Sequence, residues 1–366
     1  MKKIFFLVIS CILFQAVTAG NSYRFIAGTY TTNTSSKGIY IFSLDINTGK
    51  SEVKAVATDA LDPSYLALSS DQKSLYSISE RGINSTISAY NFDSTNGSLL
   101  FLNKVSTGGA DPCYVSVSDK HVFCANYSGG NIGVFGRKSD GSLTGALQVI
   151  NHAGSSIDPQ RQTKPYVHQV FISPDKKFVL ANDLGTDYVT CYSYKENSTS
   201  KILEPTDSVK LKAGSGPRHL TFSQDGKYIY VIQELDGTLS TLRFENGKLK
   251  LLDATSIVKK KGIKTGAADI HLSPDGKFVY ATNRGTANDI SCFKTTTNGQ
   301  LLYVYQTSVE GNGPRNFAIS KDGKYILVGN QQSNQIVVFR RNLKNGKLTD
   351  TGYRINIPAP VCIIEY

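Results

Sequence analysis

Apolar and polar positions along this chain fall into one arrangement that recurs. A proline or small residue leads into an alternating apolar run, a turn rich in Asp, Gly and Lys follows, and a second apolar run ends on a polar side chain. It is seen as DPSYLALSSDQKSLYSISE from Asp62, DPCYVSVSDKHVFCANY from Asp111 and PYVHQVFISPDKKFVLANDLG from Pro165. It returns as GPRHLTFSQDGKYIYVIQEL from Gly216, GAADIHLSPDGKFVYATNRG from Gly266 and GPRNFAISKDGKYILVGNQQ from Gly313. Aligned at Pro63, Pro112, Val167, Pro217, Ala267 and Pro314, the copies are spaced by 49, 55, 50, 50 and 47 residues. Period-two alternation bounded by turn residues predicts two antiparallel strands in each copy.

Two weaker strands follow each pair, as in DISCFKTTT then LLYVYQTSV, often joined by turns such as Asn298-Gly299 and Asn345-Gly346. Four strands in about fifty residues is the pattern of a β-propeller blade. The ends of the chain supply a seventh blade. IPAPVCIIEY reads as a lone first strand, with Pro360 lying 46 residues after Pro314, and YRFIAGTY reads as its missing second strand. The expected fold is all-β: a seven-bladed β-propeller with four antiparallel strands per blade. Pairing the N- and C-terminal strands in one blade closes the ring and removes exposed edges.

The first nineteen residues read differently. Lys2 and Lys3 precede an apolar run from Ile4 to Phe14, and Val17-Thr18-Ala19 has the small residues of a cleavage site. Residues 1–19 are therefore expected to be a secretory signal, with residues 20–366 forming one propeller domain exported to a periplasmic or extracellular space. A rival lipoprotein cut before Cys11 would halve the apolar run. No later segment is long and apolar enough to span a bilayer as a helix.

Composition agrees with a turn-dense β protein: 32 Gly, 17 Phe and 20 Tyr, with 40% apolar and 19% charged residues, which excludes disorder and coiled coil. Five cysteines remain after the signal, with no Cys-x-x-Cys spacing, so free buried thiols are expected rather than a zinc site. Removing Lys2 and Lys3 takes the formal charge from +11 to +9. Lys227, Lys277 and Lys324 sit on tight turns, and the one run, Lys259-Lys260-Lys261, has no aromatic interleaving, so no nucleic-acid partner is expected.

The alignment brings distant side chains together. The start of the first strand carries Ser64, Cys113, His168, Arg218, Ala268, Arg315 and Val361. The end of the second carries Glu80, Tyr127, Leu184, Glu234, Arg284 and Gln331. Antiparallel pairing places both columns at one edge of each blade, hence around one mouth of the central channel. His168, Arg218, Glu234, Arg284 and Arg315 converge there, with Glu80, Asp183 and Asn283 nearby. Repetition alone would put the same residue type in every blade, so the charged departures are the candidates for function.

In these motifs the chain resembles the seven-bladed propeller lactonase family of 6-phosphogluconolactonases and carboxy-cis,cis-muconate cyclases. The resemblance runs through AGTYT at Ala27, DPCYV at Asp111, ANYSGGNIGVF at Ala125, HQV at His168 and DLGTD at Asp183. It continues through GPRH at Gly216, QEL at Gln233, NRG at Asn283, GPRNFAIS at Gly313 and PVC at Pro360. It implies hydrolysis of a sugar-type lactone, with His168, Arg218, Glu234 and Arg284 as the catalytic group. Two positions depart from the family pattern: Tyr166-Val167-His168 replaces His-Pro-His, and Asp269 replaces a glutamate.

Lactone hydrolysis needs an activated water, a stabilised oxyanion and a proton for the leaving alkoxide. Glu234 or His168 is the candidate base, Arg218 and Arg284 the holders of anionic groups, and Arg315 a rim residue that binds substrate with Glu80, Asp183 and Asn283. The structural alternatives are an ion pair closing the channel for Glu234, a backbone-bonded strand end for His168, and amide-binding strand ends for Asp183 and Asn283. His121, His152 and His271 are read as structural, and His219 is expected to point away from Arg218 as packing. The arginine-dominated mouth disfavours a metal, and no cofactor is expected. The expected partner is a small anionic lactone and the expected state a monomer. A cyclase acting on a carboxylated diene and a non-catalytic anion-binding propeller are the alternatives. N-terminal sequencing of the exported protein is expected to begin at Gly20; a start at Cys11 would place the cut at the lipoprotein site instead.

Overall fold

The recurrent Ser-x-Asp-Gly-Lys segments all build the same turn. At Ser223 the hydroxyl donates to Asp225 Oδ1 at 2.7 Å, the Lys227 amide donates to the same carboxylate at 3.1 Å, and the Tyr228 amide donates to Ser223 Oγ at 2.9 Å. Gly226 takes φ +70, the left-handed conformation that glycine adopts without strain. The same bonds recur at Ser273 and Ser320. Each turn reverses the chain between two apolar strands.

In the computed structural model, which describes residues 22–366, these pairs sit in seven sheets of four antiparallel strands. The expected signal over residues 1–19 and the rival cut before Cys11 lie outside the described residues. Strands are numbered β1 to β28 in chain order. The inner strands are β4 (Leu66–Leu68), β8 (Pro112–Val117), β12 (Val167–Ile172), β16 (Pro217–Phe222), β20 (Ala267–Leu272), β24 (Pro314–Ile319) and β28 (Pro360–Glu365). The six regular blades run outward from these strands in sequence order, and the seventh has the order β28-β1-β2-β3. There β1 (Ser22–Thr29) pairs with β28, from Phe25 opposite Glu365 to Thr29 opposite Pro360. The expected closure of the ring by the two ends of the chain is therefore observed.

Apolar side chains pack between neighbouring blades in seven clusters. Cys113, Cys124, Cys191, Cys292 and Cys362 are buried and unpaired.

One irregularity matters for the hub. Six of the inner strands carry a β-bulge at the end facing the mouth. In β16, Pro217 pairs with Gln233 and His219 with Ile232, leaving Arg218 as the extra residue. Cys113, His168 and Arg315 occupy the same position in β8, β12 and β24. Val361 does so in β28, and β20 shifts register across Ala268 and Asp269. The start-of-strand column of the sequence is thus a column of bulged residues, and a bulge re-aims its side chains.

Ile363 is 5% exposed and packs in the cluster that joins the closing blade to its neighbour. Ile363→Ala is expected to destabilise the fold by about 2–5 kcal/mol, read as a lower midpoint in chemical unfolding.

Candidate active site

Glu234 follows β17 (Tyr228–Gln233) directly and is 8% exposed. Three guanidiniums from different segments meet its carboxylate. Arg218 Nε lies 3.0 Å from Oε2, Arg284 Nη2 3.0 Å from the same oxygen, and Arg161 Nη2 2.7 Å from Oε1. Burial alone would raise the Glu234 carboxyl; Arg284, Arg218 and Arg161 outweigh it and hold the group well below the usual carboxylate range. Arg218 is fixed further by donating to the Ala268 carbonyl at 2.6 Å, and Arg284 by donating to the Gly266 carbonyl at 2.9 Å. Burial lowers the Arg284 guanidinium to about 10; Glu234 opposes that shift, while Arg218 and Arg315 add to it.

His168 stands on the same mouth, its ring edge-on to Tyr127 with centroids 5.5 Å apart. Tyr127 OH in turn accepts from Arg161 at 3.2 Å, so His168 and Glu234 belong to one cluster. His168 Nδ1 is buried with no hydrogen-bond partner. Burial, then Arg218, His219, Arg315 and Arg284, depress its pKa far below the usual histidine value, and the ring is neutral at neutral pH. Opposite, the Arg315 guanidinium lies 5.3 Å from the Tyr30 ring centre, and Tyr30 OH donates to Glu80 Oε2 at 2.7 Å. Among the described residues Arg315 forms no ion pair. Four guanidiniums therefore share the mouth with two carboxylates.

Two of the residues expected to bind substrate are engaged elsewhere. Asp183 is fully buried; its Oδ1 accepts from the Tyr166 and Gly185 amides and its Oδ2 meets His152 Nδ1 at 2.9 Å. Asn283 Oδ1 accepts from Thr265 Oγ1 and the Gly266 amide, both at 3.0 Å. Both side chains shape the loops leading into inner strands.

His219 does not point away from Arg218. Its ring meets those of Tyr65, Tyr114 and His168, and Nδ1 meets Asp269, so it touches four other blades and must lie in the hub. The bulge at Arg218 breaks the strict alternation on which the opposite expectation depended. His271, read as structural, also reaches this group through Asp269.

Arg161 was not among the sequence candidates. It lies between β11 (Leu143–Asn151) and β12, in the repeat where the spacing stretches to 55. Gln162 pins this loop, its Nε2 donating to the Leu184 carbonyl and to Asp187 Oδ1, both at 2.8 Å. Cys113, in the bulge column, donates to the His168 carbonyl at 3.1 Å, and burial pushes its thiol up, which leaves it without nucleophilic character. A concavity of about 500 Å³ beside Asp175 and Asp225 lies at the turns on the opposite rim and gathers no comparable set of groups.

Residues 24–365 match the family described as Lactonase, 7-bladed beta-propeller. A 6-phosphogluconolactonase of Formosa agariphila is 34% identical over 328 residues, covering 88% of this chain and 93% of its own. One from Bacillus subtilis is 32% identical over 342 residues, covering 92% and 96%. The solved structure of a periplasmic gluconolactonase from Pseudomonas aeruginosa superposes with a TM-score of 0.87 at 34% identity, covering 94% of this chain and 99% of that one. Ring, cationic hub and relatives together define a propeller-type lactone hydrolase. The chain belongs to the seven-bladed β-propeller lactonase family.

Glu234→Gln removes the charge that three buried guanidiniums share and is expected to cost about 3–5 kcal/mol at neutral pH. A carboxyl whose folded pKa is depressed stabilises the fold above its unfolded value of about 4.3, and that contribution is lost as pH falls below it. Urea titrations should therefore show the gap between wild type and Glu234→Gln narrowing from pH 5 toward pH 2.

Proposed function

We propose that the protein opens a sugar-type lactone at this mouth, by the reaction named for its 6-phosphogluconolactonase relatives. The supporting observation is the imbalance at the hub: four guanidiniums, two carboxylates and a neutral imidazole within one ring of contacts. An anionic substrate completes the charge balance that Glu234 and Glu80 leave open. Arg284 and Arg315, less enclosed than Arg218, are the groups that meet it, through paired N–H donors suited to a phosphate or carboxylate.

In the reaction, water attacks the lactone carbonyl and the new oxyanion falls to a guanidinium. The ring C–O bond then breaks, and the departing alkoxide takes up the proton that the water released. Glu234 is poorly suited to act as base, because its three arginine partners stabilise the carboxylate against protonation. Its role is to hold Arg161, Arg218 and Arg284 in register. His168 is the proton carrier of the mouth. Burial depresses its basicity most and the arginines add to it; an anionic substrate neutralises those cations, so substrate binding itself makes the imidazole a better acceptor.

Export of the mature chain, if the signal is used, fits a lactone met outside the cytosol, and the phosphate is then not a required feature of it. Purified mature protein should be assayed against gluconolactone with and without a 6-phosphate, and against a muconolactone. Turnover is expected with a sugar lactone. Arg284→Ala is expected to lower kcat/KM by about 10²-fold or more, and His168→Ala to lower kcat by a similar factor. Near-normal rates in both variants would defeat the scheme, and binding without turnover of any lactone would leave an anion-binding propeller.

A further inference from the structure

The bulge that turns Arg218 to the mouth also brings His219 into the hub, where it meets a carboxylate from the next blade. His219 Nδ1 lies 2.7 Å from Asp269 Oδ1. Asp269 Oδ2 meets His271 Nε2 at 2.9 Å, Asn316 Nδ2 at 2.6 Å and the Phe317 amide at 3.2 Å. Burial alone would raise the Asp269 carboxyl, but His271 and His219 outweigh it and keep the group ionised. An ionised carboxylate only accepts hydrogen bonds, so the proton between the two groups belongs to Nδ1, and Nε2 of His219 carries the lone pair. That nitrogen lies 3.3 Å from Arg218 Nη1.

Beside the ring is a small cavity of about 10 Å³, about the least room that one water molecule needs, whose wall includes Ser64, Cys113, Arg218, His219 and Arg315. Ser64 is 4% exposed and its Oγ has no hydrogen-bond partner. A buried hydroxyl left unpaired is unfavourable unless a water satisfies it, and Ser64 is the one that borders this cavity. Ser64 Oγ, a guanidinium N–H and the His219 lone pair give a water in this cavity both donors and acceptors.

We infer that this cavity holds the water that attacks the lactone, and that His219, backed by Asp269, takes its proton. The inference rests on the reading of the mouth as a lactone site. As the water oxygen bonds to the carbonyl carbon, its O–H bond breaks and the proton moves to Nε2. Burial and Arg218 lower the resting His219 ring to about 4; Asp269 opposes that shift and stabilises the imidazolium that results, and an anionic substrate at the arginines offsets the Arg218 contribution. When the ring C–O bond breaks, the proton passes to the alkoxide by way of His168, whose ring centroid is 5.2 Å away, and His219 is neutral again. Ser64 positions the water and takes no proton.

Ser64→Ala separates this inference from a structural role. If Ser64 only packs, removing its unpaired hydroxyl leaves kcat unchanged and the melting temperature equal or higher. The water site instead predicts kcat reduced about 10-fold with KM unchanged, at an unchanged or higher melting temperature. Asp269→Asn would donate to Nδ1 and move the proton to Nε2, and kcat should fall by about 10²-fold or more. A high-resolution crystal structure of the wild-type protein should show an ordered water within hydrogen-bond distance of Ser64 Oγ and His219 Nε2. Wild-type kcat in Ser64→Ala, or an empty cavity, overturns the inference, and a simultaneous loss of turnover in Arg284→Ala would leave the lactone reading standing. A wild-type protein inert toward every lactone overturns both.

Discussion

Four arginines crowd one end of a closed ring, and the Glu234 carboxylate is what allows three of them to stay there. Guanidiniums this close repel one another strongly in a partly desolvated setting. One carboxylate receiving donors from Arg161, Arg218 and Arg284 turns that repulsion into a bonded cluster. The cluster ties together a loop, an inner strand and a strand end, and so fixes the shape of the mouth as well as its charge. Because the neutralisation is incomplete, the hub keeps an excess of positive charge, and burial together with that charge keeps His168 unprotonated. Charge, shape and protonation state therefore follow from one arrangement.

The scaffold beneath this cluster is repetitive and the chemistry on it is not. Six inner strands carry a bulge at the same end, filled by residues as different as Cys113, His168, Arg218, Arg315 and Val361. Repeating the backbone device while varying the side chain lets a symmetric ring present an asymmetric site. The bulge also admits a second layer, in which Tyr65, Tyr114, His219, Asp269 and Asn316 fill the channel below the arginines.

The blades were legible because period-two alternation and the Ser-x-Asp-Gly-Lys turn are local signals repeated many times. The closing blade was legible too, since a lone first strand at one end and a strand lacking its partner at the other complete each other. Convergence of His168, Arg218, Glu234, Arg284 and Arg315 followed from aligning the copies. His219 was misplaced because alternation assumes a regular strand, and a bulge leaves no reliable mark in a single sequence. Arg161 lay outside the repeat, marked only by a spacing a few residues too long. For Asp183 and Asn283 the sequence leaves two roles open, because a polar side chain at a strand end reads the same whether it faces a ligand or caps backbone amides; the structure shows both accepting from backbone amides. The three arginine contacts that hold Glu234 ionised come from distant parts of the chain, which no local pattern records.

The pairing of β1 with β28 has a consequence for how the molecule is made. Its first sheet is missing the innermost member until β28 emerges from the ribosome, so no nascent fragment that stops short of β28 contains a finished ring. The blades in between can form one after another during synthesis, but the toroid can lock only once Pro360–Glu365 has left the ribosome. Until then the hub lacks one wall, and assembly of the site is a late event in the making of the fold.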